Sequence, residues 1–280
     1  MSKQELVHCN CPYCKSDNTK TWATEKGFVT VRCIVCDFLY LCPRPSVEKR
    51  DEATELGVHG SADDMDIAER FVPAKISAYK KILAEEFSDV WSKETPITWL
   101  DIGAGYGEFM EAVASLTPQG SKVIGLEPMK LKAEAATQRG LDILQSFIGT
   151  DTPKANYISL INVFSHVYDF DSLLRDIHLT LLPAGELFIE TGDISDLKSR
   201  DDFPGELGSP DHVAFAGREH ITGFLERNGF EIVKIRRDQI DGYLFTAKNI
   251  VKKILGRNVK MMWPNSSPYR TLFIRARKTN

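Results

Sequence analysis

The sequence predicts an α/β protein: a mainly parallel sheet that closes on an antiparallel strand pair, with a small cysteine ribbon at its N-terminus. Three observations carry this expectation. An apolar run, Ile97 to Ile102, ends in a glycine-rich turn and then a helical pattern from Glu108 to Leu116. Further apolar runs at 122–126, 156–162 and 186–190 alternate with helical spacing, as strands joined by crossover helices do. Two Cys-x-x-Cys pairs lie within residues 1–45, a segment too short to fold reliably on its own core.

In Trp99-Leu-Asp-Ile-Gly-Ala-Gly-Tyr-Gly-Glu-Phe109 the glycines at 103, 105 and 107 let the backbone turn sharply beside a ligand. Asp101 stands at the mouth of the strand, where open α/β sheets bind ligands, and the following helix aims its N-terminus at the turn. The glycines run G-x-G-x-G, and Glu108 takes the place of the third glycine of a dinucleotide fingerprint. Lys122-Val-Ile-Gly-Leu-Glu127-Pro128 reads as a second strand ending in a carboxylate that can accept both hydroxyls of a ribose; the bland alternative is a solvated acid. Asn156 to Asp169 is a buried-type strand running into a turn, with Asn162 and His166 towards its end. Ser172 to Leu182 has helical spacing, Pro183-Ala-Gly185 stops it, and Glu186 to Glu190 is the next strand.

Residues 46–95 read as a linker and cover helices: polar to Ala62, then helical spacing from Asp66 to Phe87 with Pro73 starting or kinking a turn. Residues 96–280 form the main domain. His220 to Gly229 is a helix with an Asn-Gly stop, and Phe230–Arg236 and Thr271–Arg277 alternate as the closing antiparallel pair. An inserted helix is expected between them, near 243–257.

The motif Leu100-Asp-Ile-Gly-Ala-Gly-Tyr-Gly107, then Glu127, then a strand, His-Val, helix, Leu-Leu-Pro-x-Gly, strand block, resembles the class I S-adenosyl-L-methionine (SAM) methyltransferases. The resemblance implies a Rossmann-like class I methyltransferase sheet. It implies that Asp101, Gly103, Ala104, Gly105, Tyr106 and Gly107 pass beside the methionine part of SAM, that Glu127 and Pro128 meet its ribose, and that Asn162 belongs to the cofactor site.

Cys11-Pro-Tyr-Cys14 and Cys33-Ile-Val-Cys36 are separated by 18 residues, which matches a zinc pattern. Four thiolates close a tetrahedral site and leave no open position, so a structural Zn²⁺ is expected, with redox or incidental cysteines as the alternative. Cys9 is close enough to compete as a ligand, and Cys42 reads as a small thiol outside the set. The two pairs followed by Phe38-Leu-Tyr-Leu-Cys-Pro-Arg-Pro45 resemble SAM methyltransferases with an N-terminal zinc ribbon, among them sugar C-methyltransferases and an rRNA guanine methyltransferase. The extra C-terminal domain of the sugar enzymes is not expected in this sequence.

Methyl transfer from a sulfonium is an in-line displacement, helped by alignment and, where the acceptor carries a proton, by a base near neutrality. The six histidines are His8, His59, His166, His178, His212 and His220. His166 follows the fourth strand, where it is a base or a turn residue. His212 follows the long Gly/Pro/Asp loop Gly192 to Pro210, a length that marks binding loops. Ser209-Pro-Asp-His-Val-Ala-Phe-Ala216 resembles the acidic-His stretch of the zinc-ribbon sugar C-methyltransferases, which implies His212 as base and Asp211 setting its tautomer. In the structural alternative Asp211 caps the next helix and His212 only packs.

A net charge of −4, 42% hydrophobic and 26% charged residues are ordinary globular values. No apolar signal region and no run of membrane-span length occurs, and four of six cysteines keep zinc spacing; a cytoplasmic protein without a membrane partner is expected. Residues 241–280 carry nine Lys and Arg against Asp241 alone, read as a solvated face or as a rim for an anionic substrate. The leading expectation is a SAM-dependent methyltransferase acting on a small-molecule acceptor, a sugar or other anionic metabolite. An RNA methyltransferase reading RNA through the ribbon is disfavoured by the acidic balance and the lack of a Lys/Arg stripe in 1–45. A non-catalytic SAM- and zinc-binding module is the third reading. The sequence does not set the oligomeric state.

Overall fold

The computed structural model describes residues 6–57, 70–91, 93–240, 243–256 and 263–279. His59 and the start of the helical spacing from Asp66 lie outside the described residues. Strands β1 (Leu6–Val7), β2 (Thr19–Glu25), β3 (Phe28–Cys33), β4 (Leu39–Leu41) and β5 (Arg44–Pro45) build the N-terminal ribbon. Helices α1 (Val47–Leu56), α2 (Pro73–Glu86) and α3 (Ser88–Trp91) lead into the main sheet. There follow β6 (Thr98–Ile102), α4 (Glu108–Ala114), β7 (Lys122–Leu126), α5 (Lys130–Gln138), β8 (Asp142–Leu144), β9 (Ala155–Ile161), α6 (Phe170–Thr180) and β10 (Leu181–Asp193). The chain ends with β11 (Ala214–Phe215), α7 (Arg218–Arg227), β12 (Phe230–Gln239), α8 (Tyr243–Ile254) and β13 (Arg270–Lys278).

The main sheet has the order β12-β13-β10-β9-β6-β7-β8. Strands β6 to β10 pair in parallel, and β13 runs antiparallel to both β10 and β12. The chain first builds outward from β6 to β8, then returns to add β9 on the other side. Strand order therefore reverses between β6 and β9, and a crevice opens there at the carboxyl ends. The glycine turn after β6 and the 3₁₀ turn Phe164–His166 after β9 stand on either side of it.

Alternation along the strands feeds two cores. Leu100, Ile158, Leu160, Leu187 and Ile274 pack with Leu174 and Ile177 of α6 and Phe224 of α7. Trp99, Phe188 and Phe273 face the other way and meet Leu83, Phe87, Val90 and Phe109. Trp99 is fully buried, stacked between Trp91 and Tyr157, and rings of this kind contribute about 1.5–3 kcal/mol each by burial. The buried carboxylate Glu108 accepts a hydrogen bond from Val72 N–H at 2.8 Å and so fixes the start of α2, whose Pro73 suits a first helical position.

The ribbon is joined to the main domain by core and by sheet. Tyr13 and Phe38 pack edge-on against His220 and Phe224. Its sheet has the order β11-β4-β3-β2, so the fourth strand comes from the loop after β10. Two arginines of β13 are internal ties: Arg275 is buried between Glu186 at 2.7 Å and Asp89 at 2.8 Å, and Arg277 also meets Glu186. Among the described residues no helix is long and apolar enough to cross a membrane.

Glu25, at the tip of the β2–β3 hairpin, reaches into the same long loop. Its carboxylate accepts N–H groups of Leu207 at 2.7 Å, Gly208 at 2.8 Å and Ser209 at 3.3 Å. Burial raises its pKa, but the three donors and Arg200 outweigh that and hold it below the ordinary 4.5. Stability from this clamp is full above about pH 4.5 and is lost as pH falls through the depressed value. Glu25→Ala should cost ~1.5–3 kcal/mol in urea unfolding near pH 7, with the deficit shrinking in acid. Limited proteolysis should show earlier cutting between Arg200 and Pro210.

Candidate functional site

At the glycine turn, Gly103, Gly105 and Gly107 all have positive φ, at 72°, 57° and 83°. A side chain at 103 would run into Val163 and one at 107 into Leu141, whereas the space over Gly105 is open. The first three N–H groups of the turn are already used. Those of Gly103 and Ala104 donate to the Leu126 carbonyl, at 2.8 and 3.0 Å, and that of Gly105 donates to Glu127 Oε2 at 2.7 Å. The turn therefore does not aim these three donors at a ligand. It is a close-fitting wall set beside carboxylates. Tyr106 stands at its crest, and Arg139 donates to the Tyr106 carbonyl.

Glu127 ends β7 and is buried; its other oxygen accepts Met129 N–H at 2.9 Å, and Pro128 forms the bend between them. Burial pushes its pKa up, against those two hydrogen bonds. Asp101 is buried beneath the turn at the end of a relay: Trp99 Nε1–H donates to Ser159 Oγ at 3.0 Å, and Ser159 donates to Asp101 Oδ1 at 2.6 Å. Burial raises the Asp101 pKa to about 7, offset by Ser159 and reinforced by the charge of Glu127. Asn162 sits just past β9 with φ of 57° and donates its N–H to Glu190 O at 2.8 Å. Glu190 was not singled out from sequence. Burial raises its pKa to about 7 despite a hydrogen bond with Asn162, and its Oε2 is a buried atom without a partner. A carboxylate closing an apolar run, as Glu127 does, was the available signal.

The loop after β10 brings three candidates together. His166 and His212 meet edge to face, ring centres 4.8 Å apart. Asp211 Oδ1 lies 2.9 Å from His166 Nδ1, so its pairing is with His166. The expectation that Asp211 sets the His212 tautomer is corrected: His212 Nδ1 lies 2.8 Å from the Leu207 carbonyl. A carbonyl only accepts, so Nδ1 carries the proton and Nε2 keeps a lone pair. Burial, then the neighbouring His166, lowers the His212 pKa below 6.5, so the ring is neutral at pH 7. His212 lines a cavity of ≈ 220 Å³ with Asn162, Phe164, Phe203 and Tyr269, and the Tyr269 ring lies where a side chain at Gly192 would stand. The donor atoms of His166, Asp211 and His212 fall within 4.8 Å of one another, a spacing that a divalent ion can also use.

The other histidines lie elsewhere. His178 packs on Phe230, and His220 Nε2 lies 2.6 Å from the Cys36 carbonyl. His8 is exposed. In the ribbon, the sulfurs of Cys11, Cys14, Cys33 and Cys36 lie within 4.8 Å of one another, with Cys11–Cys36 and Cys14–Cys33 at 3.5 Å. Tetrahedral Zn–S bonds of ≈ 2.3 Å place sulfurs ~3.8 Å apart, so the set fits that ion. The two knuckles repeat one geometry, each followed by a positive-φ residue, Lys15 and Asp37, whose N–H donates to the first cysteine's carbonyl at 2.9 Å. Cys9 and Cys42 meet each other instead: Cys42 Sγ donates to Cys9 O at 3.2 Å.

A reversed strand order with a glycine turn and two strand-end acids at the crevice, on a sheet closed by an antiparallel strand pair, fits a class I methyltransferase. A methyltransferase-domain family model matches residues 70–235, more than half of the chain, and the chain belongs to that family; it is a SAM-dependent methyltransferase. Solved structures share the fold. A SAM-dependent methyltransferase from Mesorhizobium loti is 16% identical, with a TM-score of 0.51 over 71% of this chain and 100% of that one. The cyclase SpnF is 14% identical, with a TM-score of 0.54 over 83% of this chain and 92% of that one. The StiE O-MT segment is 14% identical, with a TM-score of 0.50 over 78% and 79%. No curated protein sequence matches the chain.

The buried acids make a stability prediction. The folded-state pKa of Asp101 lies above its ordinary 3.8, so folding is penalised progressively from about pH 4 to about pH 7 and fully above that. Asp101→Asn keeps an acceptor for Ser159 and removes the charge. The variant without ligand should melt higher than the unliganded parent at pH 8 and alike near pH 4, as scanning calorimetry would show.

Proposed function

We propose that the enzyme methylates a small-molecule acceptor, a sugar or another anionic metabolite, seated in the cavity at His212, and that the four ribbon thiols hold a structural zinc ion. One observation carries the acceptor reading: His212 is fixed through Nδ1, so its Nε2 lone pair serves a cavity whose wall includes Asn162 at the strand end beside the glycine turn.

Bound SAM supplies an electrophilic methyl group on a sulfonium. The chain supplies the rest. The turn from Gly103 to Gly107 shapes the seat, with open space over Gly105 for close approach. Glu127 offers the ribose hydroxyls its remaining lone pairs, a charge-assisted contact. Asp101 and Glu127 together set a negative potential suited to a cationic cofactor. Phe164, Phe203 and Tyr269 keep water from the acceptor, and His212 Nε2 takes its proton as the methyl is accepted. The Asp211–His166 pair holds the second ring beside His212.

His212→Ala should lose ~10²–10⁴-fold in kcat on the acceptor while SAM affinity by calorimetry stays at the parent value. In the parent the acidic limb of the pH–rate profile should lie below 6.5, because burial holds His212 neutral. A large loss for His166→Ala with none for His212→Ala would move the role to His166. If neither change matters, the acceptor needs no base.

For the ribbon, Cys33→Ser should leave purified protein with less than one zinc by metal analysis and a lower melting temperature, since the ion's binding energy is folding energy. Full zinc content in that variant would overturn the ligand set.

A further inference from the structure

Among the described residues, helix α8 and its exit carry a strongly basic and apolar surface that neither core nor crevice uses. The helix lies between β12 and β13, and the register Gln239↔Arg270 and Asp193↔Arg270 places the two ends of that connection at the carboxyl edge of the sheet, the edge of the crevice. Tyr269, the last residue of this connection, lines the His212 cavity.

Among the α8 side chains described, from Thr246 onward, the buried ones are polar, Thr246 and Asn249. The apolar ones are outward: Ile250 is 44% exposed, Val251 56%, Ile254 78% and Leu255 70%. Trp263, beyond the helix, is 82% exposed. Lys248, Lys252 and Lys253 are exposed, and none of them has an ion-pair partner among the described residues. From Tyr243 to Asn280 the sequence contains no acidic residue.

We infer that α8 lies on an anionic membrane surface and brings the His212 cavity to an acceptor anchored in lipid. Charge and shape select this occupant. Apolar side chains that enter the acyl boundary, lysines at headgroup level and an exposed Trp are what an interface-lying helix requires. A second copy is disfavoured: two-fold pairing sets a patch against itself, and here it would bring lysines to lysines with no acid to answer them. Among the described residues no helix spans a membrane, so the contact is peripheral. It departs from the sequence expectation of no membrane partner, and it gives the basic rim an anionic object in the lysines of α8, since Arg275 and Arg277 of β13 are engaged in internal ion pairs. The lipid-anchored acceptor rests on the cavity reading above; the docking of α8 does not.

The test is co-sedimentation of the full chain with vesicles of phosphatidylcholine alone and of phosphatidylcholine with phosphatidylglycerol. Binding is expected to the anionic vesicles, falling with added salt, with a blue shift of Trp263 emission that Trp263→Phe removes. Lys252→Gln and Lys253→Gln should each weaken it about fivefold. Ile254→Asp with Leu255→Asp should abolish it while SAM affinity by calorimetry matches the parent, which shows the fold intact. No binding to anionic vesicles at low salt, or undiminished binding of the Asp variant, overturns the inference. A dimer in light scattering that the same variant splits would assign the face to a second copy instead. Vesicle binding without any methyl transfer into the lipid fraction from labelled SAM would leave the docking standing and overturn the lipid-anchored acceptor.

Discussion

Val213 uses its two backbone groups on two different parts of the molecule. Its N–H donates to Ser165 O at 2.8 Å, in the turn after β9, and its carbonyl accepts Leu41 N–H at 2.9 Å, in the ribbon. Immediately before it lies His212, immediately after it β11, which completes the ribbon sheet. A loop this long would cost considerable entropy to hold in one place by side chains alone. Here it is held as a strand at one end and by Glu25 at the other, and both anchors come from the ribbon. The position of His212 against His166 follows from that double attachment. The ribbon is thus a support for the loop at the crevice, and the aromatic packing of Tyr13 and Phe38 on α7 makes the support stiff.

The crevice has an unusual electrostatic economy. Three carboxylates, Asp101, Glu127 and Glu190, are removed from water near the switch point, and burial raises the pKa of each. An anion-binding turn would leave N–H groups free, as phosphate-binding loops do. This one turns three of them inward and presents acids instead.

Much of this was legible in the sequence, and the failures have physical reasons. The strands at the switch point, the glycine turn and the two cysteine knuckles all carry local signals: apolar runs, positive-φ glycines, fixed spacing. The closing antiparallel pair was read from alternation, although both strands run longer than the pattern, to Gln239 and Lys278. What local reading missed is non-local. The boundary drawn at residue 45 could not show a ribbon strand supplied from 214–215. The tautomer of His212 depends on the Leu207 carbonyl, and a backbone acceptor leaves no mark in a sequence. Proximity in sequence pointed Asp211 to His212, whereas the turn at that place hands it to His166. The basic residues near the C-terminus looked alike in sequence; burial separates the tied arginines of β13 from the lysines of α8.

The irregular pairings of the outer strands bear on how this molecule avoids its own kind. An open sheet edge is a template for another chain. In the ribbon, Trp22 is an extra residue between Thr21 and Ala23 on the edge strand β2, and the bulge turns its ring into the cluster of Leu39, Leu197 and Phe215. In the main sheet, Val233 is the extra residue on the edge strand β12, and the opposite edge, β8, is three residues long. The other ribbon edge, β11, is two residues long. Each of these edges is kinked or short, which makes it a poorer template for a neighbouring strand.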